Sequence, residues 1–170
     1  TLAPTKQGTL ITKKPNNVKA NPIKGISNIN DITLLTLQGN GMVGIPGFSK
    51  RLFETLANEK INIIITTQAS SEHSICVGVS DKDSITAKQA IDKEFENEIS
   101  LLKIDPIVLE SKLSIVAVIG DRMKNHQGIS GKMFSTLGKN NVNIRAIAQG
   151  ASERNITAVI SRNDVKKALN

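Results

Sequence analysis

The sequence has no Trp and no Tyr, only four Phe, and a single cysteine. Its core must therefore be aliphatic, and the aromatic platforms on which proteins stack nucleic-acid bases are nearly missing. One cysteine, Cys76, cannot form an internal disulfide, and with His73 and His126 as the only histidines no zinc-ligand cluster can assemble. Cys76 reads as an ordinary strand residue. No apolar run approaches the roughly 20 residues that span a bilayer, and the polar residues 1–8 lack the apolar stretch of a signal peptide. The expectation is a soluble, cytoplasmic chain with no membrane partner. Its 170 residues, 39% hydrophobic, suffice for one ordinary domain or two small ones.

A net charge of +7 suggests nucleic acid until it is divided along the chain. Residues 1–30 hold five Lys and no acid, residues 31–111 hold seven bases and twelve acids, and residues 112–170 hold ten bases and three acids. The acidic centre suits two halves packed with complementary charge better than one basic stripe for phosphates. Lys6 to Lys24 read as a solvated linker rather than a nucleic-acid arm.

Sliding the sequence along itself reveals an ungapped register at a shift of 81 residues, from residues 32–80 onto residues 113–161. Gly39 matches Gly120, Gly47 matches Gly128, Ser49 matches Ser130, Phe53 matches Phe134 and Leu56 matches Leu137. Asn62 with Asn143, Gln68 with Gln149, Ser71 with Ser152, Glu72 with Glu153 and Ile75 with Ile156 continue the match. The architecture is a duplicated unit.

Within the first copy, residues 32–37 alternate apolar side chains with Thr and predict a strand, followed by a glycine-rich loop over residues 39–47. Phe48, Leu52, Phe53 and Leu56 lie on one face of a helix, as do Ile129, Met133, Phe134 and Leu137 in the second copy. Residues 61–67 and 74–79 predict two strands joined by a polar turn. Residues 83–98 predict an amphipathic helix built on Ala87, Ile91 and Phe95, and residues 104–109 a last strand. Each unit is βαββαβ, but the second copy only begins its second helix at residues 163–170. Residues 8–13 have strand character and could complete the second sheet, with residues 15–22 as a connector.

Gly39-Asn40-Gly41-Met42-Val43-Gly44 spells the dinucleotide fingerprint G-x-G-x-x-G between a predicted strand and a predicted helix. Three observations oppose a nucleotide. No acid stands about 20 residues further on, where Ile64 and Thr66 fall inside a strand; the unit is too short for a doubly wound sheet; and the paired loop over residues 120–128 keeps only its end glycines. Two readings remain, a tight strand-to-helix turn and a small anionic ligand held by backbone N–H groups at the helix N-terminus.

The segments Gln68-Ala69-Ser70-Ser71-Glu72 and Gln149-Gly150-Ala151-Ser152-Glu153 are a close match between the copies. A plain turn explains the Ser and Gly. Gln and Glu kept in place in both copies favour a functional role for Gln68 and Gln149, with recent duplication as the alternative. His126 has no nucleophile in register with it and reads as a surface loop residue.

The segments GISNIN (residues 25–30), TQASSEHS (67–74) and AIAQGASE (146–153) resemble the paired ACT domains at the regulatory end of aspartokinases, most closely those of bifunctional aspartokinase/homoserine dehydrogenases. The likeness covers nearly the whole chain. It implies an α+β fold of two ferredoxin-like βαββαβ (ACT) units with antiparallel sheets and helices on one face. The divisions expected are a strand segment over residues 1–14 completing the second unit, a linker over 15–25, a first unit over 26–110 and a second over 111–170. An interlocked arrangement and a homodimer through the ACT units are also implied, as is an allosteric amino-acid sensor that feeds back on aspartate kinase.

The family's kinase motif and dehydrogenase domain do not occur here, so no catalytic residues and no cofactor are expected in this region; the full-length kinase would use ATP and Mg. By resemblance the effector site uses Asn40, Gly41, Met42, Gly47 and Phe48 in the first loop and Arg122, Met123, Gly128 and Ile129 in the second. Ile63 and Ile64 at the following strand, with Gln68 and Gln149, complete it. Lysine-sensitive relatives carry an acid at the position of Ile64, so the apolar residue here points to L-threonine over L-lysine. The alternatives are a free-standing ACT-type protein that regulates a separate partner and, disfavoured by the acidic centre, a nucleic-acid-binding domain.

Overall fold

The computed structural model describes residues 22–68 and 73–169. The chain runs β1 (Gly25–Gln38), α1 (Phe48–Asn58), β2 (Ile65–Gln68), β3 (Ser74–Ser80), α2 (Ser84–Glu94), α3 (Glu96–Ser100), β4 (Val108–Ile119), α4 (Ile129–Lys139), β5 (Ile144–Gln149), β6 (Asn155–Ser161) and α5 (Val165–Leu169). All pairings are antiparallel, in the order β2-β3-β1-β4-β6-β5.

Two long strands, β1 and β4, interlock the copies. The second half of β1 pairs with β3 and with the start of β4, from Leu34 opposite Glu110 to Thr36 opposite Val108. Its first half, Gly25 to Ile29, pairs with Ile119 to Ile115 at the end of β4. The register slips between these halves, where Asp31 and Lys112, 81 residues apart in sequence, both adopt φ 61°. Each copy thus obtains a four-stranded antiparallel sheet in the ferredoxin-like order, and the first copy is inserted into the second. Residues 8–13 lie outside the described residues. The edge expected for them is held by Gly25 to Ile29, part of the predicted linker and the GISNIN segment.

Burial explains the layering. Leu35 and Leu37 point to one face of β1 and join Leu52 and Leu56 of α1 and Ala87, Ile91 and Phe95 in a helix-side core. Val116, Val118, Ile129, Met133, Leu137 and Ile160 form the matching core of the second copy. Ile32, Leu34, Ile65, Leu113, Ile115 and Val159 make a third cluster from strand residues alone. The sheet therefore folds back on itself with helices outside, and β2 and β5, at opposite ends of the strand order, come within 8 Å of each other. Strands buried on both faces read as near-continuous apolar runs. Each such side chain stabilises by about 1.5–3 kcal/mol on burial.

The crossing is pinned by polar groups. Thr33 and Ser114, 81 residues apart, are fully buried. The Thr33 hydroxyl donates to Asp81 Oδ1 at 2.6 Å and lies 3.0 Å from Ser111 Oγ, while Ser114 Oγ donates to Asn30 Oδ1 at 2.9 Å. Arg162 pairs with Asp31 beside them. Buried hydroxyls with partners incur no desolvation penalty that is left uncompensated.

Local expectations shift in four places. The strand predicted over residues 104–109 begins only at Val108; Ile104 and Ile107 instead plug the first core from an irregular segment. The predicted helix over residues 83–98 breaks at Phe95, whose buried ring stacks on Phe48 with centroids 5.8 Å apart. The strand predicted from Ile61 starts at Ile65, although the Ile64 N–H already donates to the Gly78 carbonyl at 2.8 Å. Phe53, placed on the apolar face of α1 by its spacing, is 38% exposed, because that stripe is already filled by Phe48, Leu52 and Leu56.

Candidate functional site

The loop after β1 is set by close backbone approach to the turn that follows α3. The Gly39 N–H donates to the His73 carbonyl at 3.0 Å and the Gly41 N–H to the Lys103 carbonyl at 2.9 Å. A Cβ on Gly41 would stand 2.6 Å from Lys103 Cβ and 2.8 Å from its carbonyl oxygen. Two amides of the G-x-G-x-x-G segment are thus consumed within the protein, and its first glycines serve chain packing, not a pyrophosphate. After a short 3₁₀ turn over Asn40–Met42, Gly47 at φ 106° caps α1 without supplying a side chain. The first-turn amides at Phe48 and Ser49 have no side-chain cap, which is the arrangement that accepts a carboxylate.

A cavity of about 300 Å³ opens there. Met42, Ile45 and Pro46 line it from the loop, Phe48 and Ser49 from α1, Gln68 from the end of β2 and Ile75 from β3. Its size lies at the lower end of the roughly 300–1,000 Å³ found for small-molecule sites. No carboxylate is among the described residues that line it.

Of the first-copy site residues expected from sequence, the cavity brings together Met42, Gly47, Phe48 and Gln68. Asn40 is exposed, and Gly41 has its amide on Lys103. Ile63 is half-buried against the helix-side core, whereas Ile64 packs against the cluster between the sheets. In the second copy, Met123 is buried, Gly128 at φ 85° caps α4 with no side chain, Ile129 is buried in the core, and Gln149 ends β5 exposed. Arg122 is exposed on the loop. Arg145, at the register of Ile64, is not an isolated charge: its Nε pairs with Glu110 at 2.9 Å.

Two features were not anticipated from sequence. Glu153 Oε2 accepts the Asn125 N–H at 2.7 Å, tying the second loop to the β5–β6 turn; its signal was the Glu kept in both copies. Arg51 lies 4.4 Å from the Phe95 ring centroid and pairs with Glu94 at 2.7 Å and Glu98 at 2.5 Å, locking the wall residue Phe48 to the helix break. The Arg51 hydrogen bond holds the Glu98 carboxyl below the usual carboxylate range, and Glu98 in turn pushes the Arg51 guanidinium up. Periodicity carries no trace of this clamp, because its partners are 43 and 47 positions away.

Burial pushes the Cys76 thiol up within β3, where Thr36 Oγ1 lies 3.6 Å away. Among the described residues no cluster of His, Cys, Asp and Glu could hold a metal, and no helix is long and apolar enough to cross a membrane. His126 is an exposed loop residue.

Paired ferredoxin-like units, each with a glycine-capped helix after its first strand, define a duplicated α+β module. The ACT domain family model matches residues 35–95 and 116–170, and the chain belongs to that family. It is 38% identical over 168 residues to the bifunctional aspartokinase/homoserine dehydrogenase of Haemophilus influenzae, covering 98% of this chain and 20% of that protein. It is 33% identical over 145 residues to the aspartokinase of Saccharomyces cerevisiae, covering 85% of this chain and 26% of that protein. The chain spans about a fifth of the length of the first of these relatives. Among solved structures it superposes on Clostridium acetobutylicum aspartate kinase with a TM-score of 0.81 at 26% identity, covering 98% of this chain and 38% of that one. The regulatory subunit of aspartate kinase from Thermus flavus matches with a TM-score of 0.74 at 20% identity, covering 88% and 95%, and shares the fold. The chain is a tandem ACT region of the aspartokinase type.

Proposed function

We propose that the chain is the amino-acid-sensing part of an aspartate kinase, that it binds L-threonine in preference to L-lysine, and that occupancy feeds back on the kinase. The carrying observation is the cavity beside α1, which joins uncapped helix amides to Gln68 with no carboxylate among its described lining residues. The ligand's carboxylate suits the amides at Phe48 and Ser49, and Gln68 offers a hydrogen-bonding partner to the rest. A short hydroxylated side chain fits beside Met42 and Ile75. A lysine ammonium would meet no acid among the described lining residues, and burying it unpaired is costly. Lysine is the natural competitor, since Escherichia coli aspartokinase III, 26% identical to this chain, has been solved in complex with lysine and aspartate. Gln149 and the start of α4 provide the corresponding groups in the second copy. ATP and Mg would be handled by the kinase part of the longer protein.

Isothermal titration with both amino acids tests this. Gln68→Ala and Gln149→Ala each leave a ligand group unpaired, worth about 1–3 kcal/mol, on the order of 5- to 150-fold in affinity. Equal or tighter lysine binding would sink the specificity, and unaltered threonine affinity in both variants would sink the site.

A further inference from the structure

The β5–β6 turn carries a carboxylate that the binding reading leaves without a role. Glu153 Oε2 accepts the backbone N–H of Asn125 at 2.7 Å, across 28 residues of chain. Both residues lie in the left-handed region, Asn125 at φ 59° and Glu153 at φ 54°. Asparagine occupies that region readily; glutamate does so only where its surroundings hold it. The Glu153 N–H closes the turn by donating to the Gly150 carbonyl at 2.9 Å, and the Gly120 N–H donates to the Arg154 carbonyl at 2.9 Å where the loop leaves β4. The bond therefore joins two elements, a loop that leads into α4 and a turn that follows Gln149. A ligand held by the α4 amides and by Gln149 must span them.

We infer that Glu153 is a positioning residue for the second effector site: its carboxylate latches the Asn125 amide and so fixes the loop and the α4 N-terminus relative to Gln149. This rests on the binding reading above. A charged acceptor suits the task, because hydrogen bonds to carboxylates are stronger than neutral ones. Glu72 stands at the matching register of the first copy.

The test places Glu153→Ala, Glu153→Gln, Glu153→Gly and Gln149→Ala on the Gln68→Ala chain, whose weakened first site leaves the second as the tighter one in titration with L-threonine. Glu153→Ala is expected to weaken binding on the order of 10-fold and to speed hydrogen exchange at the Asn125 amide. Glu153→Gln keeps an acceptor oxygen and should restore both. Glu153→Gly relieves the left-handed backbone, so it should melt no lower than the parent yet bind as weakly as Glu153→Ala, separating the latch from a merely structural role. Unchanged affinity in Glu153→Ala, with Gln149→Ala weakened, would overturn the positioning role alone. Unchanged affinity in Gln149→Ala would remove the second site itself, and the latch with it.

Discussion

Replacing Gly39 with alanine probes the joint between the first loop and the turn after α3. An added Cβ would overlap the Lys103 carbonyl oxygen and stand 2.6 Å from Ile104 Cα, both backbone atoms with no rotamer to give. Overpacking of a filled interior costs about 1–3 kcal/mol. Relief requires the two segments to part, which stretches the Gly41 N–H bond to Lys103, 2.9 Å, and the Asp105 N–H bond to Gln38, 2.8 Å. Each such bond contributes about 0.5–1.5 kcal/mol net. The total is roughly 2–6 kcal/mol, which for a chain of this size lowers Tm by roughly 4–24 °C. Gly131 is the internal control: it lies in α4 with open space where an added methyl group would stand, so Gly131→Ala should raise Tm slightly, by about 1–4 °C. Thermal melts followed by circular dichroism measure both. A Gly39→Ala variant that melts with the wild type would refute the reasoning, since the loop and the turn would then not touch as described.

The strand order ends at β2 and β5, whose outer edges carry no partner strand among the described residues; unpaired edges favour sheet pairing between copies, so sedimentation velocity over a concentration series should show a dimer, and a monomer throughout would count against it. Glu98, held low by Arg51, contributes stability that is fully present above its unfolded pKa of about 4.3 and is lost as pH falls through the lower folded value. Glu98→Gln should therefore melt lower at neutral pH and show a shallower acid decline in Tm below about pH 4.3; parallel declines in the two proteins would exclude the clamp as a source of acid sensitivity.

Much of the molecule is written in short-range pattern. The 81-residue register, the amphipathic faces of α1 and α4 and the glycine caps at Gly47 and Gly128 can be read from spacing alone, because helix and strand periods act over a few residues. The same register singles out Gln68 and Gln149, whereas Met42 and Phe48 enter as site candidates only through the family resemblance. Tertiary structure decided the rest. Ser27 and Asn28 carry no apolar alternation, and they become strand only because β4 offers a ladder to residues more than 80 positions earlier. Two successive predicted strands fuse into β4 because one serves each sheet, a fact no local window contains. Phe95 breaks its helix to stack on Phe48, and Ile64 turns to the cluster between the sheets while Ile63 turns to the helices. Neighbours in sequence determine which conformations a segment can adopt, but the choice among them rests on burial and hydrogen bonds supplied by the other copy of the repeat.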